Sequence, residues 1–167
     1  MEQGGFEAYD NGTDLRQADG DARWYGVTDG NSAWTRAAVT TERAHTGTKS
    51  LRLLSMYNTS YRRFSGLKKN TQYRISFYYN LGVYTETNNN YLYSVAVVPG
   101  SDEVAYNGNI TSRFLACRIL DAETGGCTAD NEWKRFEMIF FTGDNTEVQL
   151  CLRYIALASA GIGLYID

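Results

Sequence analysis

Thr71-Gln72-Tyr73-Arg74-Ile75-Ser76-Phe77-Tyr78-Tyr79-Asn80 decides the fold class. Tyr73, Ile75, Phe77 and Tyr79 fall on one side of an extended chain; Gln72, Arg74, Ser76, Tyr78 and Asn80 fall on the other. A period of two suits a strand with one buried face, whereas a helix gathers apolar residues every three or four positions. The pattern recurs in Lys134–Thr142, with Phe136, Met138 and Phe140 predicted inward and Arg135, Glu137, Ile139 and Phe141 outward. It recurs again in Thr146–Tyr154, where Val148, Leu150, Leu152 and Tyr154 oppose Glu147, Gln149, Cys151 and Arg153. Ser50–Ser55, Tyr91–Val98 and Arg113–Leu120 read as further strands, and Gly5–Ala8 and Gly161–Asp167 as short terminal ones. Asp10-Asn11-Gly12, Lys69-Asn70, Asn107-Gly108-Asn109 and Gly143-Asp144-Asn145 supply turn chemistry between them. Many short strands with turns between them, and no convincing helical stretch, predict an all-β sandwich or barrel.

Length and charge narrow the classes. The 167 residues fit one domain spanning 1–167, long enough to need neither metal nor disulfide merely to fold. A hydrophobic fraction of 43% excludes wholesale disorder, and a net charge of -3 without a basic block argues against nucleic acid or an anionic membrane as partner. No apolar run approaches the roughly 20 residues of a membrane span. The opening Met1–Gly5 has neither the basic start nor the apolar stretch of an export signal. Three cysteines allow at most one internal bridge. Cys117 and Cys127 could close a loop or remain free thiols, and with His45 as the lone histidine their spacings match no zinc pattern.

The unusual quantity is aromatic content: 13 Tyr, 3 Trp and 7 Phe. Tyrosine combines a large apolar ring with a hydroxyl that seeks water or a partner. The surplus reads either as the exposed faces of sheets or as a sugar-binding surface, where rings lie on the C–H faces of pyranoses.

Five stretches, in order, resemble the carbohydrate-binding modules of families 4, 9, 16 and 22. Gly5-Phe6-Glu7 is similar to the start of their first strand. Ala44-His45-Thr46-Gly47-Thr48-Lys49-Ser50-Leu51-Arg52-Leu53 resembles their most specific turn-and-strand. Leu67–Phe77, Trp133-Lys134-Arg135-Phe136 and Gly163-Leu164-Tyr165-Ile166-Asp167 are similar to later strands of the same group. The resemblance implies a β-sandwich jelly roll of two antiparallel sheets. It also implies a non-catalytic, monomeric, polysaccharide-binding module for xylan or β-glucan of the plant cell wall, attached to catalytic or scaffolding domains in a secreted or extracellular bacterial protein.

The same resemblance assigns site residues. Tyr57, Tyr61, Tyr91 and Tyr93 are the ring positions, although Tyr61 stands about where the group has a tryptophan; Arg62 is expected to contribute a polar group from the strand of Tyr57 and Tyr61. Tyr78, Glu137, Gln149 and Arg153, all opposite the apolar stripes, are expected to line one concave sheet as hydrogen-bond partners. Trp24, Trp34 and Trp133 are expected to pack. A structural calcium is implied at Glu7 and Asp167 with backbone oxygens near Thr46 and Lys49, stapling both termini to one turn.

Two other functions compete. Glycan hydrolysis needs two carboxylates about 5–10 Å apart across the scissile bond; Glu137 and Glu147 are outward-facing acids, and nothing in the sequence marks them as a pair. A protein-interaction or adhesion domain could use the same exposed aromatics.

Overall fold

A computed structural model describes residues 5–27, 36–82, 91–102, 114–120, 131–156 and 163–167. Nine strands lie among them: β1 Trp24–Val27, β2 Arg36–Thr40, β3 Ser50–Phe64, β4 Gln72–Asn80, β5 Tyr91–Pro99, β6 Ala116–Ile119, β7 Lys134–Phe141, β8 Val148–Ala156 and β9 Leu164–Ile166. The only helical pieces among the described residues are single 3-10 turns at Phe6–Ala8, Leu15–Gln17 and Gly20–Ala22.

The strands form two antiparallel sheets. The first runs β2-β3-β9-β4-β7 and the second β1-β3-β8-β5-β6. β3 belongs to both. Its residues 50–54 pair with β2 and β9, and its residues 58–64 pair with β1 and β8, with a register shift between Ser55 and Asn58. Such an irregularity bends and twists a strand locally, which lets one chain segment turn the corner between layers.

The alternation read from the sequence sets the core. Tyr73, Ile75, Phe77 and Tyr79 of β4 and Phe136, Met138 and Phe140 of β7 face Val148, Leu150, Leu152 and Tyr154 of β8 in one cluster. Leu92, Val95 and Val97 of β5 join them, and Trp24 is buried there too, as expected. Each fully buried Leu or Phe contributes about 1.5–3 kcal/mol relative to exposure. A polar pair inside, Ser60 Oγ and Tyr154 OH, is satisfied at 2.9 Å. At one end of the sandwich two turns interlock. Asn70, at φ 48, donates its N–H to the Gly143 carbonyl at 2.6 Å. The buried Thr142 hydroxyl accepts from the Thr71 N–H at 3.0 Å and donates to the Lys68 carbonyl at 2.8 Å.

Two expectations are corrected, and two strands are added. Phe6–Ala8 forms a 3-10 turn rather than a strand, because Glu7 is drawn aside to bond the turn at Thr48 and Lys49. Ser50–Ser55 does not end at Ser55 but continues as one strand to Phe64. β1 and β2, four and five residues long, went unread.

Candidate functional site

The outward face of the second sheet reads in three rows across its strands. The middle row runs Tyr25, Tyr61, Cys151, Ala96, Cys117 from β1 through β3, β8, β5 and β6. On one side lie Arg63, Gln149 and Val98, with Arg23 just ahead of β1; on the other lie Thr59, Arg153, Ser94 and Ile119. The floor is made of small side chains, since Ala96, Val98 and Cys151 form a second buried cluster against which Tyr61 packs. Burial pushes the Cys151 thiol up to about 12, so it is an inert filler and not a nucleophile.

The Tyr25 and Tyr61 rings stand beside one another, centroids 4.9 Å apart and planes 9° from parallel. Directly opposed aromatic residues on an antiparallel pair are held at this spacing by the strands themselves. Burial raises the Tyr61 phenol above its usual value, opposed by the nearby Arg63 charge, so the hydroxyl remains a neutral donor. Two guanidinium groups lie over the Tyr25 ring, Arg23 at 4.8 Å and Arg63 at 5.2 Å from its centroid. Beside this platform Thr59 Oγ1 and Gln149 Oε1 are buried without a hydrogen-bond partner. Buried polar atoms in that condition cost about 1–3 kcal/mol each unless a ligand or water reaches them.

The residues expected to form one groove divide between the two layers. Tyr61, Gln149 and Arg153 share the outward face of the second sheet. Tyr78 and Glu137 lie on the outward face of the first, through the pairs Tyr78–Arg135 and Ser76–Glu137. They therefore cannot line the same concave sheet: period-two reading finds the outward side of a strand but not the layer the strand joins. Tyr78 stacks on His45, centroids 3.6 Å apart, and His45 meets the Trp133 ring edge-on at 5.9 Å. Glu137 is held by Arg135 at 2.7 Å and Arg74 at 4.0 Å. Arg62, next to Tyr61, points to the other side of β3; its Nε donates to the Asp21 carbonyl at 2.6 Å and its guanidinium lies over Phe64. Gln149 has the expected face, but its amide donates to the carbonyls of Pro99 (3.0 Å), Gly100 (3.3 Å) and Asp102 (2.7 Å), holding the chain after β5 across β8. Tyr57 falls in the register shift of β3, Tyr91 pairs with Ile155, and Tyr93 sits at the register shift of β5. The side chains of all three, like Trp34 and Cys127, lie outside the described residues. Cys117 and Cys151 are free thiols.

Sequence reading missed Tyr25, Arg23 and Arg63. The signal was local: in Trp24-Tyr25-Gly26-Val27 a buried tryptophan fixes the strand's phase, which puts Tyr25 outward.

The residues of the expected calcium site do meet, in another arrangement. Glu7 Oε1 accepts the N–H groups of Thr48 at 2.7 Å and Lys49 at 2.8 Å, and Oε2 accepts the Thr48 hydroxyl at 2.9 Å. These contacts, the Thr48 N–H foremost, hold the Glu7 carboxyl below its ordinary 4.5. Asp167 Oδ2 accepts the N–H groups of His45 at 2.8 Å and Thr46 at 2.7 Å. Lys49 Nζ donates to the carbonyls of Glu7 at 3.1 Å and Tyr9 at 2.6 Å. Calcium needs about six to eight oxygens turned toward it. Here both carboxylates face hydrogen donors, an ammonium sits on two carbonyls, and no cluster of three His, Cys, Asp or Glu exists among the described residues. This donor set does not fit the ion as arranged; hydrogen bonds already tie Glu7 and Asp167 to the one turn.

No family model matches the chain, and no curated protein matches it. Solved structures do. The N-terminal CBM22-1–CBM22-2 tandem domain of Paenibacillus barcinonensis Xyn10C superposes with a TM-score of 0.56 at 18% identity over 96% of this chain, which spans 44% of that tandem. The CBM22-1 xylan-binding domain of the same enzyme gives 0.54 at 17% identity, covering 95% of this chain and 92% of that one. The C-terminal family 22 carbohydrate-binding module of Clostridium thermocellum Xyn10B gives 0.53 at 14%, covering 92% and 87%. Two antiparallel sheets sharing one corner strand, over nearly the whole length of these domains, give this chain the jelly-roll β-sandwich fold of carbohydrate-binding modules.

Proposed function

We propose that the chain is a non-catalytic polysaccharide-binding module that holds a β-linked plant cell-wall glycan, xylan or β-glucan, against the outward face of its second sheet. The observation that carries this reading is the parallel Tyr25–Tyr61 pair, which stands over a floor of small side chains with polar groups on either side. Apolar rings with a few convergent polar groups suit a sugar, whose faces are C–H and whose rim is hydroxyl. The likeness to a domain described as xylan-binding supports the choice of glycan. Such a module serves an attached catalytic domain of a secreted bacterial enzyme by raising its effective concentration on the substrate.

Affinity electrophoresis through gels containing xylan or mixed-linkage β-glucan tests the proposal. Retardation that is lost in Tyr61→Ala and Tyr25→Ala is the expected outcome. Migration unaffected by every polymer sinks it. That silence favours the protein-contact reading, for which Ile139 and Phe141, each 54% exposed on the first sheet, would be the surface.

A further inference from the structure

We propose that the Tyr25–Tyr61 platform is built for an acidic glycan, one bearing carboxylates or sulfate esters, with the anion lying on Arg23 and Arg63. This rests on the reading of that platform as a sugar-binding surface and adds the charge class of its ligand. Arg16 bonds Asp14, Arg52 bonds Glu42, and Arg74 and Arg135 share Glu137, while Arg43 lies over Tyr165 and Arg118 over Phe136. Arg23 and Arg63 have no carboxylate partner among the described residues, although both are exposed and both lie over one tyrosine ring. Asp21, the acid nearest Arg23 in sequence, bonds the N–H and hydroxyl of Ser65 instead.

Two exposed guanidinium groups gathered over one ring make a local cationic spot in a chain whose net charge is -3. A guanidinium over an aromatic face keeps its N–H edge outward and suits a planar carboxylate or a sulfate oxygen. The direct cross-strand neighbour of Arg63 is the buried, uncharged Gln149, whose amide is held by the Pro99, Gly100 and Asp102 carbonyls, so no acid faces Arg63 from β8. The geometry therefore brings together a half-exposed tyrosine pair and two exposed cations suited to an acidic substituent.

Titration calorimetry with glucuronoxylan, the same polymer after carboxyl reduction, a sulfated glycan and polyaspartate tests the charge class. Carboxyl reduction is expected to weaken binding about fivefold or more at ~0.05 M salt, with the preference shrinking toward one at ~0.5 M. Arg23→Gln/Arg63→Gln is expected to bring the acidic-to-reduced affinity ratio to about one, while Arg23→Lys/Arg63→Lys retains part of it. A sulfated glycan that outbinds the carboxylated one assigns the sulfate ester as the group. Equal affinity for the native, reduced and sulfated polymers, or polyaspartate binding as well as the acidic glycan, overturns the proposal. Tyr61→Ala separates the two readings. If it loses every polymer while native, reduced and sulfated forms bind the wild type alike, the platform stands without its charge preference. If it binds all of them as the wild type does, the platform itself is wrong.

Discussion

Tyr61 packs against the cluster of Ala96, Val98 and Cys151 and lies parallel to Tyr25. The ring is thus positioned before any ligand arrives, and little rotamer freedom remains to be lost on binding. Tyr61→Phe should retain binding to within a few-fold, while Tyr61→Ala should weaken it about tenfold or more, measured by calorimetry, because the ring and not the hydroxyl supplies the apolar contact. Glu7 gives a second prediction. Its folded pKa lies below 4.5, so its contribution to stability is complete above that value and drains away as pH falls through the folded one. Glu7→Gln should therefore flatten the dependence of Tm on pH below about pH 5, leaving a smaller slope than the wild type in thermal melts. At this scale the sequence was informative about direction and poor about neighbours. Tyr61, Gln149 and Arg153 point outward as alternation says, and so do Tyr78 and Glu137, yet the two groups never meet. Arg62 was placed beside Tyr61 by adjacency, when adjacency along a strand guarantees opposite faces.

Among elements, the turn at residues 45–49 carries an unusual share of the architecture. Gly47 has φ 64, and a Cβ there would collide with the Glu7 carboxylate. Gly47→Ala should cost about 1–3 kcal/mol, read from the urea midpoint, through backbone strain and the displaced carboxylate together. Thr142→Val should cost about 1–3 kcal/mol by the same measurement, since it leaves the Thr71 N–H without its acceptor. β4, β7 and β8 were legible because each runs eight or nine residues with an uninterrupted apolar stripe. β1 was not, being four residues with Gly26 inside. β3 read as two pieces, because the register shift between Ser55 and Asn58 breaks the alternation just where the strand changes layers.

For the molecule as a whole, the sandwich was predictable and the assignment of strands to layers was not. Periodicity reports which side of a strand is apolar; pairing partners are set by long-range packing that no local pattern encodes. The turn also bears on metal. With the carboxylates of Glu7 and Asp167 bonded to N–H groups and Lys49 on the carbonyls of Glu7 and Tyr9, stripping divalent ions with a chelator should leave Tm unchanged within about 1 °C. A fall of many degrees that calcium restores would show that the ion displaces these bonds.

One strand, β3, begins beside the turn that holds Glu7 and Asp167 and ends at Tyr61 and Arg63. If the tyrosine pair holds a glycan, pull on that glycan enters this single covalent segment at one end and reaches the turn bound by Glu7 and Asp167 at the other. The ladders flanking the segment are then loaded lengthwise, so many hydrogen bonds resist together instead of unzipping in turn.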